Sequence, residues 1–170
     1  MIEFTNKIEI PRMPIADAAC GYGRNGAYFA SQNIPVIFMD IDQDCLNFIS
    51  KGKNVSITGD IPLEQIKCLN VDLTEKWPLP PNSLSGIICT HFYYPGLITQ
   101  WSHSIVKNGF FYFETIAARK DHESALPCEN EIRKELEREF DILHYSERVL
   151  KNTNQFSQRK VSCLAFAVKK

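Results

Sequence analysis

No apolar run in this 170-residue chain approaches the roughly twenty residues needed to cross a membrane, so no membrane association is expected. The opening residues Met1-Ile2-Glu3-Phe4-Thr5-Asn6-Lys7 lack a basic segment followed by an apolar core, and no signal peptide is expected from them. Charge of neither sign prevails: 19 Lys and Arg face 20 Asp and Glu, for a net charge of −1. That balance gives no electrostatic footprint for nucleic acid. The short pairs Arg119-Lys120, Arg159-Lys160 and Lys169-Lys170 read as solvated surface. The six cysteines (20, 45, 68, 89, 128 and 163) contain no C-x-x-C pair, and the histidines at 91, 103, 122 and 144 complete no metal-ligand spacing. Scattered as small apolar residues, these cysteines fit a reducing cytoplasm. No linker, repeat or biased segment divides the chain, so residues 1–170 are read as a single domain of ordinary size.

What is present is an alternation of apolar runs. Residues 14–19, 36–40, 66–72, 84–90 and 110–114 read as strands. Helices are expected at 24–32, at 43–50 with Cys45, Leu46 and Ile49 on one face, and at 129–139 with Ile132, Leu136 and Phe140 spaced by four. Pro95 is expected to open another helix, whose stripe is Leu97, Ile98, Trp101 and Ile105. The stretch 52–65, broken by Gly59 and Pro62, reads as irregular. Asn108-Gly109 is expected to turn the chain into the strand that begins at Phe110, and residues 142–145 and 161–168 to close the fold as a hairpin. Alternating strands and helices call for an α/β fold with a mostly parallel sheet and helices on both faces.

The first strand leads into Asp17-Ala18-Ala19-Cys20-Gly21-Tyr22-Gly23-Arg24-Asn25-Gly26, and the second ends on Asp40. Glycines let backbone approach a ligand closely, and the helix that follows offers unpaired N–H groups. Asp40 stands about twenty residues past the turn, where a carboxylate can accept from both hydroxyls of a ribose. The string Gly21-x-Gly23-x-x-Gly26 by itself would also suit a dinucleotide. Asp17, however, would set a negative charge against a pyrophosphate, and the third strand also ends on a carboxylate, Asp72. Three carboxylates after three successive strands suit an amine, a ribose diol and an adenine amino group. That ligand is S-adenosylmethionine.

These residues resemble the class I S-adenosylmethionine-dependent methyltransferases, and D-x-x-C-G-x-G-R-N resembles the small bacterial tellurite-resistance-like branch. The likeness runs on through Trp77-Pro78-Leu79-Pro80, Gly86-Ile87-Ile88-Cys89-Thr90 and Ile105-Val106-Lys107-Asn108-Gly109-Phe110, over residues 14–168. Ala19 stands where the family's motif has its first glycine. The resemblance implies a Rossmann-like methyltransferase fold: a seven-stranded sheet with an antiparallel last strand. It implies a cofactor site built from Asp17, Ala19, Gly21, Gly23, Arg24, Asp40, Ile41, Asp72, Leu73 and Thr90. Within it Asp40 would hold the ribose, and Asp72 with Leu73 would frame the adenine. Arg24 reads either as a partner for the cofactor's carboxylate or as a solvent-facing arginine at a helix start.

Methyl transfer from a sulfonium needs no enzyme nucleophile, because orientation of the acceptor and exclusion of water supply most of the catalysis. The loop Thr90-His91-Phe92-Tyr93-Tyr94-Pro95 follows the fourth strand, where this fold places the acceptor. His91 is the candidate general base, and Tyr94 or Tyr93 the candidate to orient the acceptor or to face the sulfonium. The alternative is that these aromatics wall the cofactor pocket. Glu114, ending the fifth strand, reads as a substrate neighbour or as a loop partner. A small-molecule acceptor is expected, in a pocket left open or closed by residues 117–129 or by a second copy of the chain in a homodimer. RNA or protein methylation is the alternative among enzymes, and cofactor binding without transfer is the alternative of another class.

Overall fold

The computed structural model describes residues 2–6, 8–55, 57–116, 126–151 and 159–170. A short helix α1 (Ile2–Thr5) precedes β1 (Ile15–Ala18), α2 (Arg24–Ser31), β2 (Val36–Asp40) and α3 (Gln43–Ile49). A single 3₁₀ turn, Leu63–Gln65, leads into β3 (Ile66–Asn70). Then come β4 (Leu84–Thr90), α4 (Leu97–Ser102), β5 (Ile105–Thr115), α5 (Glu131–Glu137), β6 (Phe140–Val149) and β7 (Val161–Lys169). The strands form one sheet in the order β3-β2-β1-β4-β5-β7-β6. All neighbours from β3 to β5 run parallel, and β7 lies antiparallel to both β5 and β6. The fold is Rossmann-like, a mostly parallel seven-stranded sheet with an antiparallel last strand.

Both sheet faces are covered, so the central strands are buried along their length and mostly apolar, not merely on alternate residues. All four residues of β1 are buried, and so are the first six of β4. Side chains alternate between two cores. Ile15, Phe38, Ile88, Phe110 and Phe166 meet Phe29, Leu46 and Ile49 of α2 and α3 on one face. Ala16, Met39, Ile87, Phe111 and Phe113 meet Leu97, Trp101, Ile132 and Leu136 of α4 and α5 on the other. Phe4 of α1 adds to the first face, 5.5 Å from Phe166 and 4.9 Å from His144 between ring centroids.

The link from β3 to β4 contains no helix. Pro78, Pro80 and Pro81 withhold N–H donors there, and Trp77 covers the sheet instead. Its ring stacks on Trp101 at 4.7 Å, and its Nε1–H donates to the Ser104 hydroxyl at 2.8 Å.

Among the expected boundaries that move, three change how elements pack. Ile105 does not extend the α4 stripe; α4 ends at Ser102 and Ile105 opens β5 opposite Leu84. Phe140 does not end α5; it opens β6 opposite Lys169. Asn108-Gly109 lies within β5, where it absorbs a register shift between the Leu84–Ile105 and Gly86–Phe110 pairs. Asn108 takes the left-handed backbone that this bulge needs, with φ at 65°. The expected lid at 117–129 falls mostly outside the described residues, as do His122, Arg119-Lys120 and most of the 152–159 loop.

Candidate functional site

The chain winds outward from β1 to β2 and β3, then crosses back to β4 on the other side of β1. Between β1 and β4 the winding reverses, and beyond their carboxyl ends lies the crevice where such sheets bind ligands. The turn after β1 sits at that point. Three of its residues have left-handed backbone: Ala19 (φ 54°), Gly21 (φ 51°) and Gly23 (φ 72°). Ala19 holds this conformation although it carries a Cβ, a modest strain that the motif's usual glycine would not have. At Gly21 an added Cβ would meet nothing within 4 Å, so this backbone faces open space on its ligand side.

Two carboxylates fix the turn. Asp17, 1% exposed, accepts from the Gly26 N–H at 2.7 Å, reaching across from β1 into the first turn of α2. Burial, with Asp40 nearby, pushes its acid up to about 7. Asp40 accepts through Oδ2 from the Gly21 N–H at 2.7 Å and through Oδ1 from the Asp42 N–H at 2.9 Å. Each oxygen keeps a further lone pair for a ligand hydroxyl. Next to it Ile41 leaves 67% of its surface in solvent, a large apolar side chain at the mouth of the crevice. Asp42 caps α3, accepting from Asp44 N–H at 2.8 Å and Cys45 N–H at 3.2 Å.

Arg24 opens α2 on the exposed side and lies near enough to Asp17 to oppose the rise in its acid. Asp72 ends up further out, exposed beyond β3, where its Oδ1 accepts from both the N–H and the hydroxyl of Thr74. Those bonds hold its acid below the usual carboxylate range. Leu73 turns into the α4/α5 core.

The β4 end contributes Thr90, whose hydroxyl accepts from the Asn25 side chain at 2.9 Å and ties it to the start of α2. His91 is exposed, with φ at 62° and its N–H held by the Glu114 carbonyl at 2.8 Å. The two tyrosines part company. Tyr93 packs in the α4/α5 core, edge-on to Phe113, and donates its hydroxyl to Glu131 of α5. Its hydroxyl thereby braces the loop against α5. Tyr94 is 38% exposed, on the wall of a cleft of about 610 Å³ that it shares with Thr74, Trp77, Gln100 and His103. The Glu114 carboxylate is engaged by the Tyr112 hydroxyl at 2.7 Å.

Sequence reasoning passed over three residues. Asn25 and Tyr112 are two of them; the third is Asn70, which donates to the Asp40 and Ile41 carbonyls at 3.2 and 2.9 Å. Asn25 stood in the glycine string itself, but its partner is 65 residues away. The cross-strand pairing that sets Asn70 beside Asp40 has no local sequence signal.

No family model matches the chain, and no curated protein matches it. Solved structures do. Over 99% of its length the chain is similar to TehB from Haemophilus influenzae, with a TM-score of 0.68 and 18% identity, and it spans 61% of that chain. An S-adenosylmethionine-dependent methyltransferase from Mesorhizobium loti is similar over 95% of this chain and 93% of its own, with a TM-score of 0.68 and 17% identity. A TehB-like S-adenosylmethionine-dependent methyltransferase from Corynebacterium glutamicum is similar over 99% of this chain and 86% of its own, with a TM-score of 0.65 and 16% identity. Likeness at these identities establishes the fold.

Proposed function

We propose that the chain binds S-adenosylmethionine and transfers its methyl group to a small-molecule acceptor. The observation that carries this reading is the pair of carboxylates, Asp17 and Asp40, bracketing the open turn at Gly21 where the sheet winding reverses. When bound, the sulfonium would supply an activated methyl group that an acceptor takes in line, with the thioether of S-adenosylhomocysteine as the leaving group.

Asp40 would hold the ribose diol through its remaining lone pairs, and Asp17 the ammonium. Arg24 would pair with the carboxylate, and the backbone of Ala19, Gly21 and Gly23 would pass beneath the amino-acid part. The exposed face of Ile41 would cover the adenine, and Asp72 with the Leu73 backbone would meet its edge; Thr90 would close the floor. A pyrophosphate at the same turn would bring negative charge beside a buried Asp17 that could not then ionise, whereas an ammonium would gain a carboxylate partner, which disfavours a nicotinamide dinucleotide. His91 and Tyr94 would act on the acceptor, His91 taking its proton and Tyr94 orienting it. The chain would work in the cytoplasm; no helix among its described residues is long and apolar enough to cross a membrane.

Titration calorimetry tests the cofactor. S-adenosylmethionine and S-adenosylhomocysteine are expected to bind, and NAD and NADP not to bind comparably. NAD binding with no signal from either adenosyl ligand would overturn the reading. A methyl-acceptor screen with the loaded protein then identifies the substrate.

A further inference from the structure

Asp17 is an uncommon carboxylate. It lies 1% exposed on β1, between Phe38 of β2 and Ile88 of β4 in the sheet register. The Gly26 N–H donates to its Oδ2. The charged groups that face it do not balance it. Asp40 from β2 is a like charge and opposes ionisation, while Arg24 from α2 favours it from an exposed position. The thiols of Cys20, just beyond β1, and Cys89, on β4, are pushed up by burial and stay neutral. A buried carboxylate with one neutral donor and a nearby like charge carries a desolvation penalty that its partners leave uncompensated. The geometry alone therefore favours the protonated acid, in line with the direction of its titration.

We propose that Asp17 selects ligands carrying an ammonium group, and does so by proton exchange. This rests on the adenosylmethionine reading above and extends it. Before binding, the buried acid holds its proton. An arriving ammonium supplies the missing positive charge, the carboxyl O–H breaks, its electron pair stays on Asp17, and the proton leaves to buffer. The products are a carboxylate–ammonium pair and one free proton. The ligand competes with a proton, so affinity falls as pH falls.

S-adenosylhomocysteine titrated at pH 7 in two buffers of different ionisation enthalpy measures the exchange directly. About half a proton should leave per ligand bound, and affinity should fall about fivefold between pH 7 and pH 6. The ligand's α-amine, standing beside a carboxylate, titrates above the peptide N-terminal range of about 7.7–8.0, so it stays an ammonium throughout a comparison kept at or below pH 7. In Asp17→Asn, whose carboxamide oxygen can still accept from Gly26, both effects should vanish. 5′-Methylthioadenosine, which lacks the ammonium, should release no proton from the unaltered protein, a control that needs no variant to fold. Binding of S-adenosylhomocysteine with identical heat in both buffers would overturn the exchange and leave the cofactor reading standing. Proton release with 5′-methylthioadenosine would overturn the assignment to the ammonium. No binding of either compound would overturn the cofactor reading itself, and the exchange with it.

Discussion

Both oxygens of Asp40 already accept backbone N–H groups, from Gly21 and from Asp42. The residue therefore shapes the turn as well as offering lone pairs to a ligand. Asp40→Ala should weaken S-adenosylhomocysteine binding by about 1–3 kcal/mol, the scale for losing hydrogen bonds to a charged group, and lower the melting temperature too. Asp40→Asn should keep more of the fold than of the affinity. Calorimetry beside thermal unfolding separates the two, and unchanged affinity in a folded Asp40→Ala protein would show the ribose held elsewhere. Gly26 is a packing requirement of the same turn: an added Cβ would lie 2.5 Å from Phe38 Cε1 and 2.9 Å from Asp17 Oδ2. Gly26→Ala should cost roughly 1–3 kcal/mol through overpacking, a fall of roughly 2–12 °C in Tm. At this scale the site was legible wherever chemistry and sequence neighbourhood coincide: Asp17, Gly21 and Gly23 stand in one string, and Asp40 ends the next apolar run. Asn70 and the Asn25–Thr90 bond were not legible, because cross-strand register creates them.

Periodicity marked where helices and strands lie but not where they end. Ile105 and Phe140 each continue an i, i+4 apolar spacing, yet each opens a strand. A strand entering the same core also begins with a buried apolar residue, so the two periods agree at that one position. Strand register at Asn108-Gly109 was hidden for a related reason: a turn signal inside a strand is a bulge only when a neighbouring strand continues past it. Element contacts also divide the β4–α4 loop into a structural half and a half free to act. Tyr93 braces α5 through Glu131. Tyr93→Phe should cost about 1.5–3 kcal/mol of stability, the scale for a hydrogen bond to a charged group, while leaving S-adenosylhomocysteine affinity unchanged. His91→Ala and Tyr94→Phe should behave in the opposite way, slowing transfer while affinity stays within a few fold. Loss of a true general base would slow the reaction about 10²–10⁴-fold, and a much smaller loss at His91 would mark it as a positioning group. Thermal unfolding, calorimetry and single-turnover rates on the three variants distinguish these outcomes once an acceptor is known.

For the molecule as a whole, the buried acid on its central strand links stability to pH. Asp17 titrates at about 7 in the folded protein against an ordinary 3.8, so between those pH values the folded state holds a proton that the unfolded chain has released. Stability contributed by that proton is present at low pH and lost as pH rises from about 4 to about 7. Asp42 and Asp72 act with the opposite sign. Hydrogen bonds from the Cys45 and Asp44 N–H groups hold the first below its ordinary value, and bonds from Thr74 hold the second; their contributions fade as pH falls through the acid range. The two trends leave a stability maximum on the acid side of neutrality. The melting temperature should fall from pH 5 to pH 7.5, and Asp17→Asn should remove most of that slope and be the more stable protein at pH 7.5. A ligand that pairs with the ionised carboxylate binds only the folded state and binds it better as pH rises. Saturating S-adenosylhomocysteine should therefore raise the melting temperature more at pH 7.5 than at pH 5. Equal slopes in the unaltered protein and in Asp17→Asn, measured by calorimetric unfolding, would place the pH dependence on other groups and leave Asp17 a simple cap for α2.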